Sequence, residues 1–231
     1  MTEADWMTCQ DPQAMLAWLR DSGVGSPRQL RLFAAACARR LWRHLEDETV
    51  RIAVETAERY ADRKDSEAER GVEQVKVVRV MPSRQDASFR TWLRIRAYRV
   101  VACSLAEDAR AAARGAAHEA PRAEGIAGLI AASREQPDGD EFKAMMATLR
   151  SPYASLLRHI VGNPYRPFTA PPSWPTTVVS LAEAVYNGAD AAFALHDALL
   201  EAGHPDLAEH FRAESCHPKG CWALDVILQR S

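Results

Sequence analysis

Apolar side chains recur at three- and four-residue spacing along most of the chain, and the segments they define are bracketed by helix-cap residues. Asp11-Pro12 places a capping carboxylate before a proline at the first helical position, Met15, Leu16, Trp18 and Leu19 form one broad face, and Gly23 is a stop. Ser26-Pro27 opens a longer segment in which Leu30, Phe33, Ala34, Cys37, Leu41 and Leu45 share a face, with Arg28, Arg31, Arg39, Arg40 and Arg43 mostly on the other side. Asp47 caps a third helix through Tyr60, with Val50, Ala53, Val54, Ala57 and Tyr60 as its buried stripe.

The next stretch is ambiguous in period. Ser66 and Glu69 fit a capping box, but Val72, Val75, Val77, Val78 and Val80 are β-branched and alternate locally, so helix, ending by Pro82, competes with a short strand. From about 86 to 120, Ala, Arg and Leu predict one long helix whose later turns carry small alanines. Residues 121–140 hold Gly125, Gly128, Pro137 and Gly139 and read as one short helix in a flexible connection. Helices follow at 141–149 and 152–161. Five prolines between 163 and 175 exclude a helix there and predict an extended strap, packed through Phe168 and Trp174. Four helices close the chain, near 177–187, 190–202, 205–213 and 220–229. The fold class is therefore all-α, with nine to eleven helices in one domain. A two-part division, with N-terminal helices in 1–120 and C-terminal helices plus strap in 141–231, is the alternative.

Composition adds boundaries. The 231 residues are 47% hydrophobic and 26% charged with a formal net charge of −2, which supports a sizeable core and no global basic field. No apolar run reaches the ~20 residues of a membrane span, and Met-Thr-Glu-Ala-Asp-Trp at the start lacks the basic and apolar regions of a signal peptide. The expectation is a cytoplasmic protein with no membrane partner. Five scattered cysteines are an odd count for a disulfide framework and predict reduced thiols.

Three stretches carry residue types with chemistry. His204, His210, Cys216, His217 and Cys221 crowd the C-terminal end, and thiolates with imidazoles are zinc ligands. A closed site would use Cys216, His217 and Cys221 with Cys37 or His210 as the fourth ligand. The spacing of Cys216 and Cys221 is wider than an ordinary zinc knuckle, and the competing reading is a buried cysteine beside Trp222. No cofactor is otherwise predicted. A Cys/His nucleophile would need a poised thiolate, and Cys37 sits in an apolar stripe that raises its pKa. The segment from Lys76 to Arg114 has nine Lys/Arg against three acids, so Arg84, Arg90, Arg94, Arg96 and Arg99 could track phosphates. The competing reading is a solvated helix face paired with the acidic stretches at 46–48 and 67–73. Walker, dinucleotide-binding, zinc-protease and nucleophile-elbow motifs are all absent.

The opening MTEADWMTCQDPQAMLAWL and RQLRLFAAACARRLWRHLEDE, then SLLRHIVGNPYRPF, LHDALLEAGHPDLAEHFR and HPKGCWALDVIL, resemble a large group of planctomycete proteins. The likeness covers about residues 1–61 and 153–231, and its C-terminal part is also similar to the planctomycete repeat-companion domain. The resemblance implies shared architecture and two signatures, Asn163-Pro164 with Arg166-Pro167, and His217 with Gly220, Cys221, Trp222 and Asp225. It supplies no activity. Within these signatures Asn163 turns the chain, Trp222 packs, and Arg166 paired with Asp225 would clamp the strap to the last helix. The resulting expectation is a non-catalytic helical adaptor that binds another protein, perched on exposed aromatics such as Trp6, Trp18 or Trp174. A nucleic-acid-associated protein and a metalloprotein or enzyme built on His217, Cys221 and Asp225 are the alternatives.

Overall fold

The structure, a computed structural model, describes all residues except 84–87, 134–137, 215 and 231. Among the described residues there are twelve α-helices and no strand: α1 (Glu3–Thr8), α2 (Pro12–Ser22), α3 (Pro27–Arg40), α4 (Glu48–Ala61), α5 (Glu67–Arg79), α6 (Phe89–Ser104), α7 (Ala109–Ala131), α8 (Gly139–Val161), α9 (Thr176–Tyr186), α10 (Ala192–Glu201), α11 (Pro205–Ala213) and α12 (Trp222–Leu228). The protein is all-α. None of these helices is long and apolar enough to cross a membrane. The chain divides into two compact units, Met1–Leu157 and Arg158–Ser231, with the division inside α8.

The caps sit where local chemistry places them. Asp11, Ser26, Asp47 and Ser66 are N-caps whose side chains accept from main-chain N–H groups one turn on, and Ser26 and Ser66 complete capping boxes with Gln29 and Glu69. Gly23 ends α2 at φ 71°, a left-handed conformation that glycine adopts without a Cβ penalty. The valine-rich segment is helical. Its capping box nucleates α5 and only Val77 among its valines is fully buried, leaving no second strand face to pair.

Four expectations are corrected. Residues 86–120 are not one helix: α6 stops at Ser104 and Asp108 caps a new helix, accepting from Ala111 N–H. Helix α7 then runs through Pro121, and α8 runs through Pro152. Proline removes one hydrogen bond from a helix interior, but buried side chains on both sides of Pro121, from Ala116 to Ala127, hold α7 in register. The short α1 is present because Trp6 is fully buried, 5.5 Å from the Trp18 ring, which anchors a helix too short to persist alone. Trp6 is therefore core, and Trp18 and Trp174 are half-buried, so none of the three is an exposed aromatic anchor.

The N-terminal unit is a close-packed assembly around α3, α6 and α7. Ala34, Ala35, Ala36 and Ala38 of α3 and Ala112, Ala113, Ala116, Ala117 and Ala120 of α7 are buried. Such small side chains let helix axes approach closely while each removes little apolar area from water. Arginines tie the periphery. Arg28 pairs with Asp62 at 2.9 Å, Arg39 grips Glu58 through two bonds of 2.7 and 2.9 Å, and Arg31 donates to the Ala106 and Glu107 carbonyls at the α6–α7 turn. Arg70, 5% exposed, donates to the Leu105 carbonyl. These guanidiniums satisfy carbonyls that the helix ends leave open.

In the C-terminal unit, α9 to α12 bury Val178, Ala182, Leu195, Leu199, Leu207, Phe211, Leu224 and Ile227 in one core. The strap at 163–175 is extended, and Phe168 and Trp174 stack at 6.4 Å against that core.

The closest helix approach yields a prediction. A Cβ on Gly115 of α7 would lie 2.6 Å from Cys103 Sγ of α6. Gly115→Ala gains about 1 kcal/mol of helix propensity and loses about 1–3 kcal/mol to overpacking. In a Cys103→Ala background the sulfur is gone and the gain remains. A double-mutant cycle in urea should show a coupling of at least about 1 kcal/mol, and additive changes would place the helices further apart.

Candidate metal centre

The C-terminal unit brings four metal-ligating side chains to one point. His159 lies on the last turn of α8, His210 on α11, His217 in the segment 214–221, and Cys221 is the N-cap residue of α12. One ligand atom from each lies within 4.8 Å of every other. His210 Nε2 is 3.1 Å from Cys221 Sγ, and His217 Nδ1 is 3.9 Å from the same sulfur. The imidazole centroids are 4.7 Å apart for His159 and His210, 5.4 Å for His159 and His217, and 5.2 Å for His210 and His217.

Local sequence sets this convergence. Gly162 closes α8 at φ 77°, donating to the Arg158 carbonyl at 2.7 Å. A Cβ there would meet Trp222 Cγ at 3.1 Å, so the indole occupies the room that glycine leaves. Trp222 follows Cys221 directly, and its ring also stands edge-on to His210 at 5.2 Å. The Pro218 carbonyl accepts from Cys221 N–H at 3.0 Å and tightens the turn into α12. Phe211 lies 4.8 Å from His217 on the other flank. An apolar wall of this kind keeps water from a site and strengthens its electrostatics.

The four groups are poorly satisfied by one another. His159 Nε2 and His217 Nε2 are buried with no hydrogen-bond partner among the described residues, and a buried unsatisfied nitrogen costs about 1–3 kcal/mol. Burial pushes the His159 pKa down to about 4, and burial with the His159 ring pushes His217 to about 4. Burial, reinforced by His159 and His217, pushes His210 to about 3. The Cys221 thiol is pushed up to about 12 by burial, against the opposing pull of the Leu224 and Ala223 N–H groups. At neutral pH the site thus holds three neutral imidazoles and one thiol. Glu214 Oε2 stands 3.7 Å from His159 Nδ1, on the side of the ring away from the orphaned Nε2. A carboxylate behind a histidine orients the ring and raises its basicity as a ligand.

The donor set fits a cation of zinc type. Zinc takes imidazole nitrogen at about 2.0–2.1 Å and thiolate sulfur at about 2.3 Å in a tetrahedron, which places ligand atoms about 3.3–3.8 Å apart. The cluster brackets those separations and needs only small side-chain rotations to reach them.

Of the ligands expected from sequence, His217, Cys221 and His210 converge. Cys216 is exposed and outside the group. Cys37 is buried in α3 of the N-terminal unit, where burial raises its pKa well above the ordinary value. His159 was not expected. Its only signal is a histidine beside the buried stripe of Leu157 and Ile160, directly before the Gly162 turn.

The other candidates lie elsewhere. Arg96 and Arg99 are engaged with Glu119 of α7 at 2.6 and 3.7 Å, a different acid from those the sequence suggested. Arg94 lies over the Tyr98 ring at 5.8 Å, Arg90 is exposed, and Arg84 falls outside the described residues. Asn163 Oδ1 accepts from Tyr165 N–H at 3.0 Å, Arg166 is exposed, and Asp225 is buried on α12. Comparison of the chain with family models, curated proteins and solved structures finds no match.

The imidazoles give the metal-free protein a pH signature. Their unfolded pKa is about 6.5, so between about 6.5 and 4 the unfolded chain holds more protons than the folded one. Stability is complete above that window and falls as pH drops through it, by up to about 1.4 kcal/mol per pH unit for each proton of difference. Denaturant unfolding of chelator-treated protein at pH 7.5 and 5.5 should show the loss at 5.5, and equal stabilities would mean that the rings are hydrated.

Proposed function

We propose that the protein is a metal-binding helical module whose C-terminal unit is held by one zinc ion on His159, His210, His217 and Cys221. The observation that carries this reading is the convergence of four donor atoms within 4.8 Å inside an apolar wall. The role is structural. Four protein donors fill a tetrahedral shell and leave no open position for a substrate, which is the pattern of closed sites. The unit is also small. At 74 residues, Arg158–Ser231 has short helices and a core of the size that natural domains supplement with a metal or disulfides. The metal joins the end of α8, α11 and the start of α12.

An interaction role for the same unit draws on one further observation: Phe193 and Leu200, two turns apart on α10, are 72% and 46% exposed. A metal-held scaffold presenting such a pair fits an adaptor better than an enzyme.

Protein expressed with zinc should retain one equivalent per chain by elemental analysis. Substituting cobalt(II) should give a thiolate-to-metal charge-transfer band that Cys221→Ser abolishes and Cys216→Ser leaves intact. Because the imidazoles are already neutral and the thiol protonated, metal uptake at pH 7.5 should release about one proton, measurable by calorimetry in buffers of different ionisation enthalpy. Metal-free purified protein that also gives no cobalt spectrum would refute the reading.

A further inference from the structure

The N-terminal unit contains a cleft of about 150 Å³ between α2, the turn after it, the start of α3 and the first turns of α7. Leu16, Leu19, Val24 and Leu30 form its apolar side, and Arg110 and Arg114 stand on its rim. Leu19 and Leu30 are buried at its base, 1% and 5% exposed.

The charge around this cleft is unbalanced. Arg28, Arg39, Arg59 and Arg70 of the same unit are bonded to carboxylates. Arg20, also on the rim, is paired with Asp21 at 2.8 Å. The guanidiniums of Arg110 and Arg114 have no acceptor among the described residues, although the Arg114 carbonyl is fixed by the Gln13 amide at 2.8 Å. They sit one helical turn apart, which puts both heads on one side of α7. Asp108, the nearest preceding acid they could use, caps α7 by accepting from Ala111 N–H. The positive end of the α7 dipole reinforces the same sign.

We infer that this cleft binds a carboxylate carried on a short aliphatic chain, with the chain in the leucine-lined cleft and the carboxylate between Arg110 and Arg114. Size and charge select this class together. At roughly 30 Å³ per water-sized share, the cleft accommodates about four to six heavy atoms, the size of a butyl or isobutyl group. The guanidinium fork matches a carboxylate geometrically and repels an ammonium. Two sources present that chemistry: a free short-chain carboxylic acid, and the C-terminus of a peptide ending in leucine, isoleucine or valine.

The test uses the full chain and nuclear magnetic resonance titrations with 3-methylbutanoate, hexanoate, acetate, 1-hexanol, hexylamine and a tetrapeptide ending in leucine, free or amidated. The two aliphatic carboxylates should bind saturably, with acetate, hexanol and hexylamine at least tenfold weaker. Shifts should map to α2 and the start of α7. Arg110→Glu with Arg114→Glu, both on the surface, should leave the helix content unchanged and weaken binding at least tenfold. Leu16→Trp should block the cleft without altering the rim charge. Tighter binding of the free-carboxylate peptide than of its amide and of hexanoate supports the site with a chain terminus as its ligand; tighter binding of hexanoate supports it with a small acid. Absence of saturable binding, equal binding of hexanol, or binding that survives the double charge reversal would overturn it. Loss of the metal reading leaves this outcome unaffected, since no residue of the cleft belongs to the metal cluster.

Discussion

Three imidazoles and a thiol brought to one point form the tightest constraint in this protein. Each nitrogen removed from solvent needs a donor or an acceptor, and neutral rings facing one another cannot supply enough of either. Among the described residues, His159 Nε2 and His217 Nε2 have no hydrogen-bond partner. The end of α8, the Pro218 turn and the Trp222 indole together place these groups. On the proposed reading, a single cation would draw one donor atom from each of the four side chains. On that reading the folding of the C-terminal unit and its metal binding would be the same event, as in small domains held by a structural metal.

The N-terminal unit solves a different problem. Alanine faces on α3 and α7 bring helices close but bury little area per residue, so the packing gains come from many weak dispersion contacts. Arginine reaches across the gaps between helix ends. Its long stem covers apolar surface while its head bonds to carbonyls at the α6–α7 turn or to buried acids such as Glu58. The high arginine content of the sequence is thereby largely structural. Arg96 and Arg99 show this directly, since one carboxylate, Glu119, holds both.

What could be read from the chain follows the range of the physics involved. Caps at Asp11, Ser26, Asp47 and Ser66 depend on two or three neighbouring residues and were legible one by one. The break at Leu105 was not, because alanine and arginine favour helix on both sides and the stop is imposed by Arg31 and Arg70 from other helices. Pro121 and Pro152 misled for the converse reason: local chemistry disfavours helix there and tertiary packing overrides it. The same division separates the ligands. His217 and Cys221 are neighbours in sequence and invited attention. His159 lies on another helix, and joins the group only because the Gly162 turn seats its end beside Trp222.

That turn has a consequence beyond packing. In a chelate the span between donor atoms, its bite, decides which ions are held and how firmly. Here the bite between His159 and Cys221 would be set by a four-residue run, from His159 to Gly162, pressed against the residue that follows Cys221. With no side chain at Gly162 the indole seats at van der Waals distance, and the α8 end cannot drift from the α12 start without opening a void. Selectivity for one ion over another would then reside in a residue that has no side chain and touches no metal.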